Sequence, residues 1–527
     1  MAPCAHRMPP MLMKSIHALA CIALVLFSQE GFAQELRIGM AADITSIDPH
    51  SINITPNNNV SWHVFDALAH VDEHTRVLPG LAESWRAVDP LTWEFKLRKN
   101  VKFHDGADFT AADVIASLER PTKLAGSQFA LFVQRIVAKE MIDPYTVRVK
   151  TATPYAMVPY DLHSVFIIPA KLAGATSADF DAGKAAIGTG PYRFVRFARG
   201  DRVELVRNDQ YWGGKPAFER VSLRIMPNDP TRTAALLAGD VDVIENVPTA
   251  DLAKLRTNDK LEVTQKVSWR TIFFHLDQSR DASPQISDLA GKRLASNPLK
   301  DIRVRQAISK ALNRQAIVDR VMEKAAIPAA NLVSPPVFGH VEALRPEVFD
   351  LDGAKKLLAD AGYPQGFAMT VSAPNNRYVN DDQIAQAVAQ MLARIGIKTR
   401  VDTMPINVYL TRARNQEFSF AMLGWGSFSG DLALRSLAGT VAPEKGFGTW
   451  NWSRYSNAKV DALLEQGFAL TDDRKREALA REAMQLAIND YAVIPLHHQL
   501  AAWAMKRSIG YAGRTDEYTF AHHMKLR

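Results

Sequence analysis

Apolar and polar positions alternate along several stretches of the chain with the period of a half-buried strand. In Leu91–Arg98, Trp93, Phe95 and Leu97 fall on one face against polar neighbours. Leu36–Met40 has the same alternation and predicts a first strand, whereas Asp43–Asn59, rich in Pro, Asn, Ser and Thr, predicts a loop. His104-Asp105-Gly106 predicts a turn. Thr110 then predicts a helix cap, with Asp113 three residues on and Val114 and Leu118 on one face. Tyr192–Val206 predicts two strands joined at Arg199-Gly200-Asp201. Thr231–Ala238 predicts a short helix stopped by Gly239, followed by a strand over Asp240–Ile244.

The pattern is clearest further on. Phe367, Met369 and Val371 alternate in a strand. Asp381–Arg394 then carries Ile384, Val388, Met391, Leu392 and Ile395 on one helical stripe, Gly396 ends it, and Ile397–Val401 returns to a strand. A strand, a helix and a second strand in this order predict parallel pairing, because the crossover brings the chain back in the same direction. Strands are also predicted over Thr271–Leu276, Phe418–Leu423 and Val493–Leu496, with helices over Asn457–Phe468 and Asp473–Asn489. Helices alternating with strands over most of the chain predict an α/β fold.

Length and composition narrow the class. The 527 residues suggest about three domains. With 47% hydrophobic and 23% charged residues, the chain reads as an ordinary globular protein. Arg7 and Lys14 precede the apolar run Ala18–Phe27, which is far short of the ~20 residues of a membrane span and is followed by Gly31-Phe32-Ala33. This is the layout of an export leader, with cleavage expected after Ala33. The only cysteines are Cys4 and Cys21, so a chain cleaved there has no disulfide, thiol nucleophile or cysteine-bound metal. Cys21 lies inside the apolar run rather than after it, so a soluble product is expected rather than a lipid-anchored one. The formal charge of +7 is scattered along the chain, and a nucleic-acid partner, which calls for a basic cluster, is not expected.

No enzyme motif survives inspection. There is no phosphate-binding loop and no His-Glu-x-x-His, and Gly426 to Gly430 has Phe428 where a nucleophilic serine would stand. His497-His498 and His522-His523 are adjacent pairs, and neighbours on a strand point to opposite faces, which makes poor chelates. No catalytic residue, metal or cofactor is expected. Three loops hold the candidate chemistry: Trp269-Arg270, Asn375 to Tyr378 with Arg377, and the run Trp425, Gly426, Ser427, Phe428 to Asp431. Loops at the carboxyl ends of parallel strands are where α/β sheets bind ligands. Trp and Tyr offer rigid walls, Arg a bidentate fork for carboxylate or phosphate, and Gly close backbone approach. Each of these residue types also serves simply in packing or turns.

A family resemblance covers nearly all of Leu36–Trp503. Leu78-Pro79-Gly80-Leu81-Ala82-Glu83-Ser84-Trp85, Gly188-Thr189-Gly190-Pro191-Tyr192, Tyr211-Trp212-Gly213-Gly214, Val304-Arg305-Gln306-Ala307 and Ala361-Gly362-Tyr363-Pro364 occur in that order. The chain resembles the large-ligand periplasmic solute-binding proteins of ABC importers, the oligopeptide, dipeptide and nickel type known as family 5. The resemblance implies a type II bilobed α/β fold with an extra domain inserted in the first lobe. Mapped onto this chain, the leader takes 1–33 and the first lobe 34–75, 186–270 and 498–527. The insert takes 76–185 and the second lobe 271–497. The resemblance further implies a periplasmic monomer that closes around a peptide or peptide-like, anionic solute and delivers it to permease subunits. The ligand-binding set is then Trp425, Gly426, Ser427, Phe428, Asp431, Arg270, Asn375, Arg377 and Tyr378. In the peptide binders an Asp shortly after the Trp of the second-lobe loop meets the peptide's α-amino group. Here that position is Phe428, and Asp431 is the nearest carboxylate. Two other readings stay open: a periplasmic chaperone or chemosensor on the same fold, and a secreted hydrolase.

Overall fold

The strand Leu261–Leu276 pairs antiparallel with the strand Val493–Lys506 at both of its ends. Leu261–Val267 lies against Leu500–Lys506, and Thr271–His275 lies against Val493–His498. Between the two paired stretches the register breaks, leaving Ser268–Arg270 outside the ladder. These are the two crossing strands, in a computed structural model that describes residues 34–527. The expected leader and its cleavage after Ala33 lie outside the described residues.

A twelve-stranded sheet runs through the crossing strands into both lobes. On the first-lobe side Glu35–Met40 lies parallel to Arg220–Ile225 and to Val243–Glu245, and Val243–Glu245 pairs with the far end of the second crossing strand. The hairpin Tyr192–Ala198 and Arg202–Arg207 closes that edge. On the second-lobe side Phe420–Gly426 pairs antiparallel with the first crossing strand. It also lies parallel to Ala368–Pro374, which in turn lies parallel to Lys398–Met404. The helix Asp381–Ala393 makes the crossover between those last two strands, with Ile384, Val388 and Leu392 fully buried. Gly396 has φ +88°, a left-handed turn that a side chain would strain.

The extra domain is a four-stranded antiparallel sheet in the order Ala82–Asp89, Thr92–Leu97, Thr146–Thr151, Ile136–Asp143. Trp93, Phe95 and Leu97 point inward as their alternation requires. Thr110 and Asp113 form a reciprocal capping box at the start of the helix Ala111–Lys123. The apolar core of this domain is continuous with that of the second lobe: Phe95, Leu118, Met157 and Leu162 belong to one cluster with Leu423, Leu434, Phe468 and Met484. Burying each such side chain contributes about 1.5–3 kcal/mol.

Several sequence expectations shift, each for a local reason. The expected loop Asp43–Asn59 ends at Ile54, because Pro56 occupies the first turn of a helix over Thr55–Val64, where its missing N–H costs nothing. The strand expected over Val493–Leu496 runs to Lys506. Both of its faces are buried, so polar His497, His498 and Gln499 interrupt the alternation without leaving the sheet. Trp269 and Arg270 lie within one long strand rather than before a short one. The strand expected over Phe418–Leu423 is Phe420–Gly426, which places Trp425 and Gly426 at a strand end. The strand after Gly239 is displaced to Val243–Glu245.

Burial of imidazoles near the crossing strands makes stability depend on pH. Burial pushes His275, His497 and His498 down to about 3. In the unfolded chain they take up protons below about pH 6.5, which the folded chain excludes. Stability is therefore complete above that pH and is lost as pH falls toward 3, by about 2 kcal/mol per imidazole at pH 5. The melting temperature, followed against pH, is expected to decline from near 6.5. A curve flat down to pH 4.5 would contradict the assignment.

Candidate functional site

The break in the ladder puts Ser268, Trp269 and Arg270 at the junction of the lobes. Their backbone is satisfied from elsewhere: Trp269 N donates to Thr515 O at 2.8 Å, and Arg270 N to Ser268 Oγ at 2.9 Å. Arg270 is buried and forms a bidentate pair with Glu517, at 2.6 Å from Nη2 and 3.1 Å from Nε. Ser268 Oγ adds a bond of 2.6 Å to the same carboxylate. Burial alone would raise the pKa of Glu517. The charge of Arg270 and the hydrogen bonds from Arg270 and Ser268 outweigh it and hold the group below the usual range. Glu517 has φ +67°, a left-handed conformation that costs a non-glycine residue about 1 kcal/mol and persists only when its surroundings hold it.

A second guanidinium faces this pair. The Asp381 carboxylate accepts from the backbone N–H of Arg377 at 2.9 Å and of Tyr378 at 3.0 Å, fixing the turn before the crossover helix. The Tyr378 hydroxyl donates to Gly424 O at 3.1 Å and ties that turn to the neighbouring strand. The Tyr378 ring has Arg377 at 5.5 Å and Arg270 at 6.0 Å from its centroid. Arg377 itself is exposed, and among the described residues its side chain has no hydrogen-bond or ion-pair partner. The positive charge of Arg270, followed by desolvation, pushes its pKa down. Asp381 lies close by but its carboxylate is taken up by the two backbone N–H groups, so among the described residues no carboxylate makes an ion pair with the Arg377 guanidinium. The lobes also touch here directly, through Asn380 Nδ2 donating to Thr249 Oγ1 at 3.2 Å.

The loop after Phe420–Gly426 splits into two parts. Gly426 pairs with Arg270, and a Cβ on it would stand 2.6 Å from Trp269 Nε1, so the indole needs glycine there. That indole N–H is buried and has no partner. Phe428 leaves the second lobe to stack on Tyr160 of the extra domain, with centroids 5.9 Å apart, and meets His163 edge-on at 5.8 Å. His163 stacks on Trp62, and Trp62, Tyr518, Phe520, His70 and His522 line a small cavity together with Asp66 and Arg514. Trp269 packs edge-on against Tyr518, joining this aromatic wall to the arginine cluster.

Of the residues expected from sequence, Arg270, Arg377, Tyr378 and Gly426 come together. Asn375 sits exposed in the same turn, its N–H donating to Met404 O at 3.0 Å. Trp425 flanks the group against Trp450. Arg270 is not a free fork for a solute, since Glu517 already occupies it. Ser427 and Asp431 turn inward, contrary to expectation. Ser427 Oγ donates to Ser429 O at 2.7 Å. Asp431 is buried, accepts from Ser429 Oγ and Leu432 N, and lies 3.5 Å from Arg476 Nε. Moving it to the place of Phe428 would leave the buried Arg476 with Asp473, at 3.2 Å, as its remaining ion-pair partner. Glu517, Tyr518, Trp62, Tyr160 and His163 were missed from sequence. Glu517 lies 247 residues from Arg270, in a segment without periodicity, and no local signal joins them.

The family model for bacterial extracellular solute-binding proteins, family 5, middle region, matches residues 76–434. Heme-binding protein A of Haemophilus influenzae is 29% identical over 488 residues, covering 85% of this chain and 83% of that protein. The glutathione-binding protein GsiB of Salmonella paratyphi A is 29% identical over 479 residues, covering 88% and 89%. The solved structure of HbpA2 from Haemophilus parasuis superimposes with a TM-score of 0.80 at 25% identity, over 94% of this chain and all of that one.

Because Glu517 is the ion-pair partner of the buried Arg270, Glu517→Gln is expected to destabilise folding by about 3 kcal/mol in urea unfolding. The double variant R270Q/E517Q should recover part of that loss. A double variant as unstable as the sum of its parts would show that the pair is not coupled.

Proposed function

The chain belongs to the bacterial extracellular solute-binding proteins of family 5, and from that premise we propose that its interlobe cleft binds the anionic group of a small solute through Arg377 and presents the solute to ABC permease subunits. The observation that carries this reading is the unpaired guanidinium: Arg377 is exposed, makes no ion pair among the described residues and feels the field of Arg270. A carboxylate placed on it gains charge-assisted hydrogen bonds and relieves like-charge repulsion at the same time. Tyr378 offers a rigid wall beside it and the Trp269 indole an unused donor. Gly426 keeps the backbone open to close approach, while Asn375 and Trp425 border the group. Arg270 acts through Glu517, as part of the fixed charge.

A solute held this way touches both lobes, since Trp269 and Glu517 lie at the crossing strands and first lobe while Arg377 and Tyr378 belong to the second. Contacts made only when the lobes meet are what allow a ligand to shift the balance toward the closed form. Heme and glutathione, for which two of the similar proteins are named, both carry carboxylates, which agrees with a cationic anchor. In this proposal the protein works as a periplasmic monomer after loss of residues 1–33, and it releases its solute chemically unchanged.

Residues 34–527 would be titrated with glutathione, hemin and short peptides bearing free or esterified carboxylates. A ligand present at about 100 times its Kd adds roughly 2.7 kcal/mol of stability, which thermal unfolding reads directly. For whichever carboxylate binds, Arg377→Met is expected to raise Kd by about 10- to 100-fold, the loss of a hydrogen-bonded charge partner. An unchanged Kd in calorimetric titration would place the anion elsewhere.

A further inference from the structure

Tyr160, on the helix Val158–His163, carries the extra domain onto the second lobe. Phe428 stacks on its ring with centroids 5.9 Å apart, and the Arg476 guanidinium stands 4.6 Å from its centroid. The same guanidinium stands 4.4 Å from the ring of Phe338, so one cation and three rings pack together across the junction. We propose that this group is a closure latch: Tyr160 seats against Phe428 and Arg476 and holds the second lobe on the extra domain before any solute arrives, so capture waits for the latch to open. Only that consequence for capture rests on the solute-binding reading above.

The latch needs no solute, because every contact in it is between protein groups. It is also built to release. Arg476 completes its burial against the extra domain, its Nη1 donating to Met157 Sδ at 2.7 Å. There its Nε and Nη2 have no hydrogen-bond partner, and neither has Asp431 Oδ2, 3.5 Å from Nε. Separating the lobes admits water to these polar atoms, so opening regains in hydration part of what the ring contacts lose. A ring pair and a cation beside a ring, unlike a strand ladder, have no register to restore when the lobes meet again.

The latch adjoins the site. Phe428 follows Gly426 by two residues, and Gly426 pairs with Arg270. Ser427 Oγ, donating to Ser429 O at 2.7 Å, holds the turn that carries Phe428. Phe428 also meets His163 edge-on at 5.8 Å, and His163 stacks on Trp62 at 5.2 Å, which ties the latch to the first lobe. In this arrangement Phe428 serves closure, where its sequence position suggested contact with a solute.

The sequence after residue 33 has no cysteine, so labels can be placed in pairs without interference. Glu140→Cys in the extra domain and Lys355→Cys in the second lobe, both exposed, would carry spin labels for distance measurement on residues 34–527 with no solute added. The parent protein is expected to show one dominant short distance. Tyr160→Ala, checked for a cooperative melt, should raise the ratio of long to short distances by at least about tenfold, through loss of a ring pair and a cation–π contact. Tyr160→Phe keeps the ring and should match the parent. Phe428→Ala should open the protein in the same way, and combining it with Tyr160→Ala should add less than the sum of the two. A folded Tyr160→Ala variant with the parent's distances overturns the latch, as does a parent protein already dominated by the long distance. Opening by Tyr160→Ala that Phe428→Ala does not reproduce counts against Phe428 as the seat. No solute enters this measurement, so its failure leaves the anion anchor at Arg377 standing, and an Arg377→Met variant with unchanged binding leaves the latch standing.

Discussion

Two strands must cross between the lobes, and the ladder between them cannot stay in register through the crossing. That interruption at Ser268–Arg270 is the constraint from which the site follows. Backbone groups released from a sheet have to find other partners: Arg270 N finds the Ser268 hydroxyl within the strand, and Trp269 N finds Thr515 O in the C-terminal segment. The same segment brings Glu517 to Arg270 in a strained left-handed conformation. The charge pair at the centre of the cleft thus belongs to the hinge itself.

The pair leaves a residue of charge. A buried ion pair adds little net stability, because desolvating both partners costs about as much as their attraction returns. Its consequence lies in what it fixes: Arg270 is held charged and immobile, and its field reaches Arg377, which has no anion of its own. Arg377 is left without an ion-paired carboxylate, and the Tyr378 ring lies beside both guanidiniums. Preorganised charge of this kind requires little rearrangement when an anion arrives.

Much of the fold was legible because its signals are local. The stripe Ile384, Val388, Leu392, the stop at Gly396 and the capping box at Thr110 and Asp113 each report their own element. The crossing strand Val493–Lys506 was read short because burial on both faces removes the alternation that marks a strand, and His497-His498 looks polar from sequence though it is sealed in the sheet. In the site, Arg270, Arg377, Tyr378 and Gly426 could be found from residue type and position in loops. The roles of Asp431 and Ser427 could not, since burial and pairing with Arg476 and Ser429 depend on tertiary neighbours. Glu517 and the aromatic wall come from segments far apart in the chain, and nothing short of the fold brings them to one place.

The contacts that draw the lobes together divide into those that need a solute and those that do not. Phe428 on Tyr160, Ala156 N on Phe468 O at 2.7 Å and Arg435 Nη1 on Tyr155 OH at 3.1 Å join the second lobe to the extra domain without a solute. Together with the shared apolar core they favour closure in either case, and a term present in both states cannot report that a ligand has bound. The repulsion between Arg270 and Arg377 works the other way. It is felt when Arg270 and Arg377 are held across the junction, and it vanishes when an anion neutralises Arg377. In the proposed function, an opposing term that only the correct ligand cancels would make closure conditional, and the unpaired charge of Arg377 is the element that would let this fold distinguish a loaded cleft from an empty one.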